Sequence, residues 1–264
     1  MATATKIPHL SPREREIAGP ASQQGRLDPS REAKDRLIVA LDFPTAEAAM
    51  ALVDQLQGTC RWFKVGMELY YAAGNSVIET LRQRGLNVFL DLKLHDIPNT
   101  VAGAVRSVTS AGASLLTIHA GGGERMMRAA AEAASVPGAP RLLAVTVLTS
   151  LDAPELAAVG VPDPPATQVL RLARLAQAAG IDGLVCSAEE VAAARELMGP
   201  AALLVTPGIR PAGTGANDQS RMATPAQAIA RGASMLVVGR PITQAADPAQ
   251  AAAAILAEIA TPAS

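Results

Sequence analysis

Eight short apolar runs recur along this chain at near-regular intervals, and that alternation constrains its fold more than any other feature. They lie at Leu37 to Leu41, Trp62 to Val65, Val88 to Leu92, Leu115 to Ile118, Leu142 to Leu148, Gly183 to Cys186, Leu203 to Thr206 and Met235 to Val238. Each has the length and apolar continuity of a buried strand. The segments between them carry helical spacing, as in Leu52, Val53 and Leu56 or Val77, Ile78 and Leu81, with Gly58 and Gly85 placed to end those helices. Helix starts are marked by Ser187 with Glu190, by Thr224 with Pro225 and Gln227, and by Asp247 before Pro248. The fifth connection, from Ser150 to about Gly180, holds Pro154, Pro162, Pro164 and Pro165, so a loop or small extra helix is expected before its main helix. Eight such units in about 230 residues fit a closed (β/α)8 TIM barrel, in the α/β class, better than an open doubly wound sheet.

Composition narrows the setting. The chain has 264 residues, 49% of them hydrophobic and 18% charged, which is enough for one large core and a single domain over residues 35–264. Residues 1–34, broken by Pro8, Pro12, Gly19, Pro20, Gly25 and Pro29, read as a flexible N-terminal extension without chemistry. A net charge of -1 and 2% aromatic residues argue against a nucleic-acid surface and favour a small-molecule partner. Two cysteines, Cys60 and Cys186, fit a reducing compartment. No apolar run reaches the ~20 residues that span a bilayer. The first residues lack the apolar core of a signal peptide, and Glu14, Glu16 and Asp28 do not suit a transit peptide, so a cytoplasmic protein is expected.

The polar residues of the barrel gather where its strands end. Asp42 follows the first run, Lys64 lies in the second, and Asp91 and Lys93 lie in the third. His119, Thr149, Arg210 and Arg240 follow the fourth, fifth, seventh and eighth. Barrels place their chemistry at the C-terminal ends of the strands, where the βα loops converge. The run Asp91-Leu-Lys-Leu-His-Asp96 carries most of this signal. Asp91 and Lys93 are two residues apart and share a face, while Leu92 and Leu94 take the other. Asp96 stands past the strand, just before Ile97-Pro98. The only lysines are Lys6, Lys34, Lys64 and Lys93 among 23 basic residues. A compact ammonium is thus kept in the strands of a chain that otherwise uses arginine. A buried ion-pair network that merely holds the barrel is the simplest alternative. Several charges in one mouth weigh against it, since each buried ion carries a desolvation penalty of several kcal/mol.

Five segments together resemble one family. Ile38-Val-Ala-Leu-Asp-Phe43, Phe63-Lys-Val-Gly-Met-Glu-Leu69, Phe89-Leu-Asp-Leu-Lys-Leu-His-Asp-Ile-Pro98, Val205-Thr-Pro-Gly-Ile-Arg210 and Val237-Val-Gly-Arg240 are similar to the successive signature segments of the orotidine 5′-phosphate decarboxylases. The resemblance runs from about residue 36 to 260 and leaves the extension out. It implies decarboxylation of orotidine 5′-phosphate to uridine 5′-phosphate and carbon dioxide, the last step of de novo pyrimidine synthesis, with no cofactor and no metal. It also implies Lys93 as proton donor, Asp91 facing the departing carboxylate, and Lys64 completing the array and touching the ribose with Asp42. Thr149 would contact the pyrimidine, while Arg210, Gln219, Gly239 and Arg240 would hold the phosphate. Asp96, Ile97 and Thr100 would cross a homodimer interface into a neighbouring site.

The residue chemistry points the same way. Decarboxylation leaves a carbanion, which most enzymes stabilise with an organic cofactor. A protein without one must hold a cation where the charge develops and then supply a proton, and Lys93 between Asp91 and Asp96 can do both. Gly239-Arg240 after the eighth strand suits a phosphate, which Arg240 can bind bidentately. The segment Pro211-Ala-Gly-Thr-Gly-Ala-Asn-Asp-Gln219 has the composition of a mobile loop and is expected to close over that phosphate through Gln219. His119-Ala-Gly-Gly-Gly123 reads as a turn between the fourth strand and its helix rather than as a glycine-rich phosphate loop, and His95 as a residue of packing or a hydrogen bond. Two other classes stay open. A barrel aldolase acting on a sugar phosphate could use a lysine Schiff base, which borohydride would trap, or a metal on Asp91 and Asp96. Schiff-base chemistry needs a neutral amine, which the flanking carboxylates oppose. A non-catalytic nucleotide-binding barrel would keep the phosphate contacts and lose turnover.

Overall fold

A computed structural model describes residues 33–211 and 222–261. A 3-10 turn at Ala33–Asp35 leads into β1 (Leu37–Leu41), and Lys34 Nζ donates to the Gly58 carbonyl at 2.9 Å. The expected extension otherwise lies outside the described residues. The chain then continues through α1 (Ala46–Gln55), β2 (Trp62–Gly66), α2 (Met67–Ala73), α3 (Asn75–Gln83), β3 (Asn87–Leu94), α4 (Pro98–Ala111), β4 (Leu115–His119), α5 (Gly123–Ala133) and β5 (Arg141–Val145). It ends with α6 (Ala153–Ala158), α7 (Pro165–Ala178), β6 (Gly183–Val185), α8 (Val191–Met198), β7 (Leu203–Thr206), α9 (Pro225–Ala230), β8 (Met235–Val238), α10 (Arg240–Thr243) and α11 (Pro248–Ala260). All eight strands pair in parallel with their sequence neighbours, and β8 returns to β1 to close the barrel. The fold is the (β/α)8 TIM barrel.

Local signals account for most boundaries. Thr224 and Gln227 form a reciprocal capping box at α9, and the Asp247 side chain accepts the Gln250 amide at α11. Gly58 and Gly85 adopt φ of 79° and 73° beyond α1 and α3. The small extra helix of the fifth connection is α6, started by a second capping box of Asp152 with Glu155. Ser187 and Glu190 do not form the expected box. The Ser187 hydroxyl bonds the Glu190 carboxylate directly, inside the buried turn, and α8 begins only at Val191.

The core has two parts, as a barrel requires. Outward-facing strand residues such as Leu37, Val39, Phe63, Val65, Leu90 and Leu116 join the helices. Inward-facing Ile38, Trp62, Phe89, Leu115, Leu143, Leu203, Val205 and Met235 fill the barrel itself. This apolar plug forms the floor beneath the site. No described helix is long and apolar enough to cross a membrane.

Candidate active site

The two-residue period of the strands carries the inward face from the floor to the mouth. Two positions above Trp62, Phe89 and Leu115 stand Lys64, Asp91 and Thr117, and four above Ile38 stands Asp42. Apolar stems below and polar groups above follow from one alternation. Asp91 is the centre of the resulting network. Lys93 Nζ donates to both of its oxygens at 2.9 Å, Lys64 Nζ lies 3.8 Å from Oδ2, and Lys64 also bonds Asp42 Oδ1 at 2.8 Å. Two ammonium groups and two carboxylates are thereby balanced in one mouth. Asp91 and Lys64 are largely buried, whereas Asp42 is 59% exposed at the rim.

Asp91 and Lys93 do share the mouth, but regular alternation puts only Asp91 there. Strand β3 pairs Phe89 with Leu115 and Leu90 with Leu116, and then Leu94 with Ile118, so four residues of β3 span two of β4. Within this bulge Lys93 has φ of 50°, the one positive value of a non-glycine residue among the described residues. That conformation costs about 1–2 kcal/mol. Leu92 and Leu94 pack on the outer core, as their positions predict.

Two residues that sequence reasoning passed over complete this arrangement. Thr117 is fully buried; its hydroxyl accepts the Lys93 amide at 2.8 Å and donates to Asp91 Oδ1 at 3.0 Å. A hydroxyl within the apolar run Leu115 to Ile118, two residues above an inward-facing leucine, is the signal that could have found it. Gly66 ends β2 where a Cβ would stand 3.0 Å from Lys64 Nζ and 3.2 Å from Asp42 Oδ1. A side chain there would crowd the ion pair.

A cavity of about 160 Å³ opens beside the charges, lined on its other sides by Val145, Thr149, Val185 and Val237 among others. It joins a charged edge to an apolar pocket, as small-molecule sites do. Gly239 and Arg240 follow β8 at the start of α10, and a Cβ on Gly239 would lie 3.9 Å from Asp42 Oδ2, so this turn borders the rim. Arg210 is half-buried, and its amide donates to the Ala223 carbonyl at 3.0 Å beside an Ile209–Ala223 bridge. That bridge ties together the two ends of the segment containing Gln219, which itself lies outside the described residues. Cys186 also lines the cavity; burial foremost, then Glu190, pushes its thiol up to about 12.

Asp96 stands apart from this network. Its Oδ1 accepts its own Ile97 amide at 2.6 Å, and Asp96, Ile97 and Thr100 are all exposed. Asp96 and Ile97 border a separate open concavity with His95, Pro98, Gly121 and Gly122. His95 stacks on His119 with ring centroids 5.2 Å apart. Burial first, then the neighbouring His95 and Lys93, lowers the His119 pKa below its ordinary 6.5. The His119 run is a turn, with Nδ1 accepting the Gly121 amide at 3.3 Å. Among the described residues no group of three or more His, Cys, Asp or Glu side chains is gathered to hold a metal ion.

A closed parallel barrel with a charged, half-apolar pocket at the C-terminal ends of its strands defines an α/β barrel of the kind that binds small molecules at that rim. Comparison with known proteins gives the family. Residues 35–255 match the model of the orotidine 5′-phosphate decarboxylase / HUMPS family, and the chain belongs to that family. Over 226 residues it is 58% identical to the orotidine 5′-phosphate decarboxylase of Halorhodospira halophila, covering 85% of this chain and 96% of the relative. It is 54% identical over 225 residues to the enzyme of the same name from Pseudomonas aeruginosa, covering 84% and 97%. Among solved structures, orotidine 5′-phosphate decarboxylase from Lactobacillus acidophilus superposes with a TM-score of 0.77 at 42% identity, over 86% of this chain and all of that one. An uncharacterized conserved protein from Geobacillus kaustophilus gives 0.74 at 40% identity, over 84% and 99%.

Proposed function

We propose that this chain is a carboxy-lyase that converts orotidine 5′-phosphate to uridine 5′-phosphate and carbon dioxide, closing de novo pyrimidine synthesis without a cofactor. The observation that carries the reading is the Asp91 carboxylate held between Lys93 and Lys64 beside an apolar cavity. Family membership and relatives that match over nearly their whole length support it.

In this reading the pyrimidine enters the cavity against Thr149, and its carboxylate meets Asp91. Two carboxylates at ~4 Å repel by roughly 4 kcal/mol at an effective dielectric near 20. Loss of carbon dioxide relieves that repulsion, a contribution of about a thousandfold in rate. As the carbon–carbon bond breaks, its electron pair stays on the ring carbon, close to the Lys93 ammonium. Lys93 donates a proton to that carbon and is reprotonated from solvent. Asp42 and Lys64 hold the ribose hydroxyls, and Arg210, Gln219, Gly239 and Arg240 hold the phosphate, whose binding offsets the repulsion. The catalytic domain spans residues 35–264, with 1–34 outside it, in a cytoplasmic homodimer. Asp96, Ile97 and Thr100 reach the neighbouring subunit's site, a role favoured by their exposure and by the 66% exposure of Ile97. The test is formation of uridine 5′-phosphate from orotidine 5′-phosphate with a chelator present. Activity on a sugar phosphate alone, abolished by chelator or trapped by borohydride on a lysine, would replace this reading with the aldolase one.

A further inference from the structure

We propose that Thr117 is a positioning residue of the reaction, acting through Asp91 and Lys93 without touching the substrate. The inference rests on the decarboxylase reading and deepens it. Thr117 is fully buried and is not among the residues lining the cavity, so its effect must travel through its two hydrogen bonds. Those bonds join the two halves of the reacting pair. One reaches the Asp91 carboxylate and the other the Lys93 backbone.

The geometry explains why this hydroxyl is needed. On the alternation set by Asn87, whose amide bonds the Arg61 carbonyl, the Lys93 amide would face β2, whose pairing with β3 ends at Gly66 and Asp91. The register slips between Leu90 and Leu94, so the ladder supplies no partner over the bulge. A buried amide left without an acceptor is costly. The Thr117 hydroxyl accepts that amide, and its own proton is then free for Asp91 Oδ1. The left-handed turn at Lys93, which brings the ammonium back onto Asp91, is thus held in place by a side chain of the next strand. Asp91 is otherwise held by flexible lysine stems. Thr117 is a β-branched residue with a stiff χ1 on a strand, and it fixes one carboxylate oxygen from rigid scaffold. Residues held in sparsely populated backbone regions cluster where a mechanism uses them.

The experiment compares Thr117→Val and Thr117→Ala, which delete the hydroxyl, with Thr117→Ser, which keeps it. Valine and alanine should lower kcat by roughly 10- to 100-fold while KM and uridine 5′-phosphate affinity stay within about threefold, and serine should restore kcat to within about threefold. The Lys93 amide should exchange with solvent faster in the valine variant than in wild type or serine. Valine and alanine variants with kcat within twofold of wild type would overturn the inference, as would a serine variant as impaired as valine. Failure of both deletion variants to fold would assign the hydroxyl to folding and overturn it as well. A wild-type protein that does not turn over orotidine 5′-phosphate defeats the decarboxylase reading instead, while amide exchange still reports whether the hydroxyl holds Lys93.

Discussion

Replacing Gly66 with alanine tests whether the Lys64–Asp42 pair is part of the working site. The added methyl would stand 3.0 Å from Lys64 Nζ and 3.2 Å from Asp42 Oδ1, tighter than ordinary contact, so the ends of the two side chains must give way to it. The pair now closes at 2.8 Å. Opening it fully, to ~4 Å at an effective dielectric near 20, would forfeit about 2 kcal/mol of attraction, the upper limit of the effect. Because Asp42 is 59% exposed and screened by solvent, about 1 kcal/mol is the more realistic loss. The backbone tolerates the change, since Gly66 has φ of -88°. We therefore expect kcat/KM for orotidine 5′-phosphate to fall by about fivefold, with the melting temperature lowered by no more than about 4 °C. Steady-state kinetics and thermal denaturation of the Gly66→Ala protein measure both. A folded variant with kcat/KM within twofold of wild type would refute the idea that this ion pair orients the substrate.

Subunit mixing tests the proposed dimer and its shared site: Lys93→Ala and Asp96→Ala proteins, each inactive alone, should regain about one quarter of wild-type activity after random exchange, because half the dimers would then carry one intact site. No recovery, with exchange confirmed, would assign Asp96 to its own subunit. Alkaline stability tests the buried thiols. Burial, the largest cause in each, raises Cys60 and Cys186 from 9.0 to about 12, so the folded state holds their protons longer than the unfolded chain. Their contribution is complete below pH 9 and is lost as pH rises from 9 towards 12. Denaturant titrations of wild type and a Cys60→Ala/Cys186→Ala variant should diverge over that window. Parallel curves would show that the thiols carry no such linkage.

The barrel was legible because its strands are buried on both faces and its helices carry their own stop and start residues. Leu37–Leu41, Leu203–Thr206 and Met235–Val238 emerge with the boundaries their apolar runs predict. The convergence of Asp42, Lys64, Asp91 and Lys93 was legible too, since topology fixes where strand ends meet. What escaped depends on register and contact. The slip between β3 and β4 is a property of two strands together, and neither sequence announces it. Thr117 matters only because that slip leaves an amide to satisfy, and Gly66 only because a lysine and an aspartate close above it. Ser187 with Glu190 had capping spacing, but burial in the turn before α8 joined the two side chains to each other instead.

The most direct test of the central claim is a single-turnover comparison of wild-type and Lys93→Ala protein with orotidine 5′-phosphate in excess chelator, following uridine 5′-phosphate and carbon dioxide together. The account predicts one of each product per substrate consumed by wild type and none from the variant. Substrate left intact by wild type at stoichiometric enzyme, or undiminished conversion by Lys93→Ala, would contradict it.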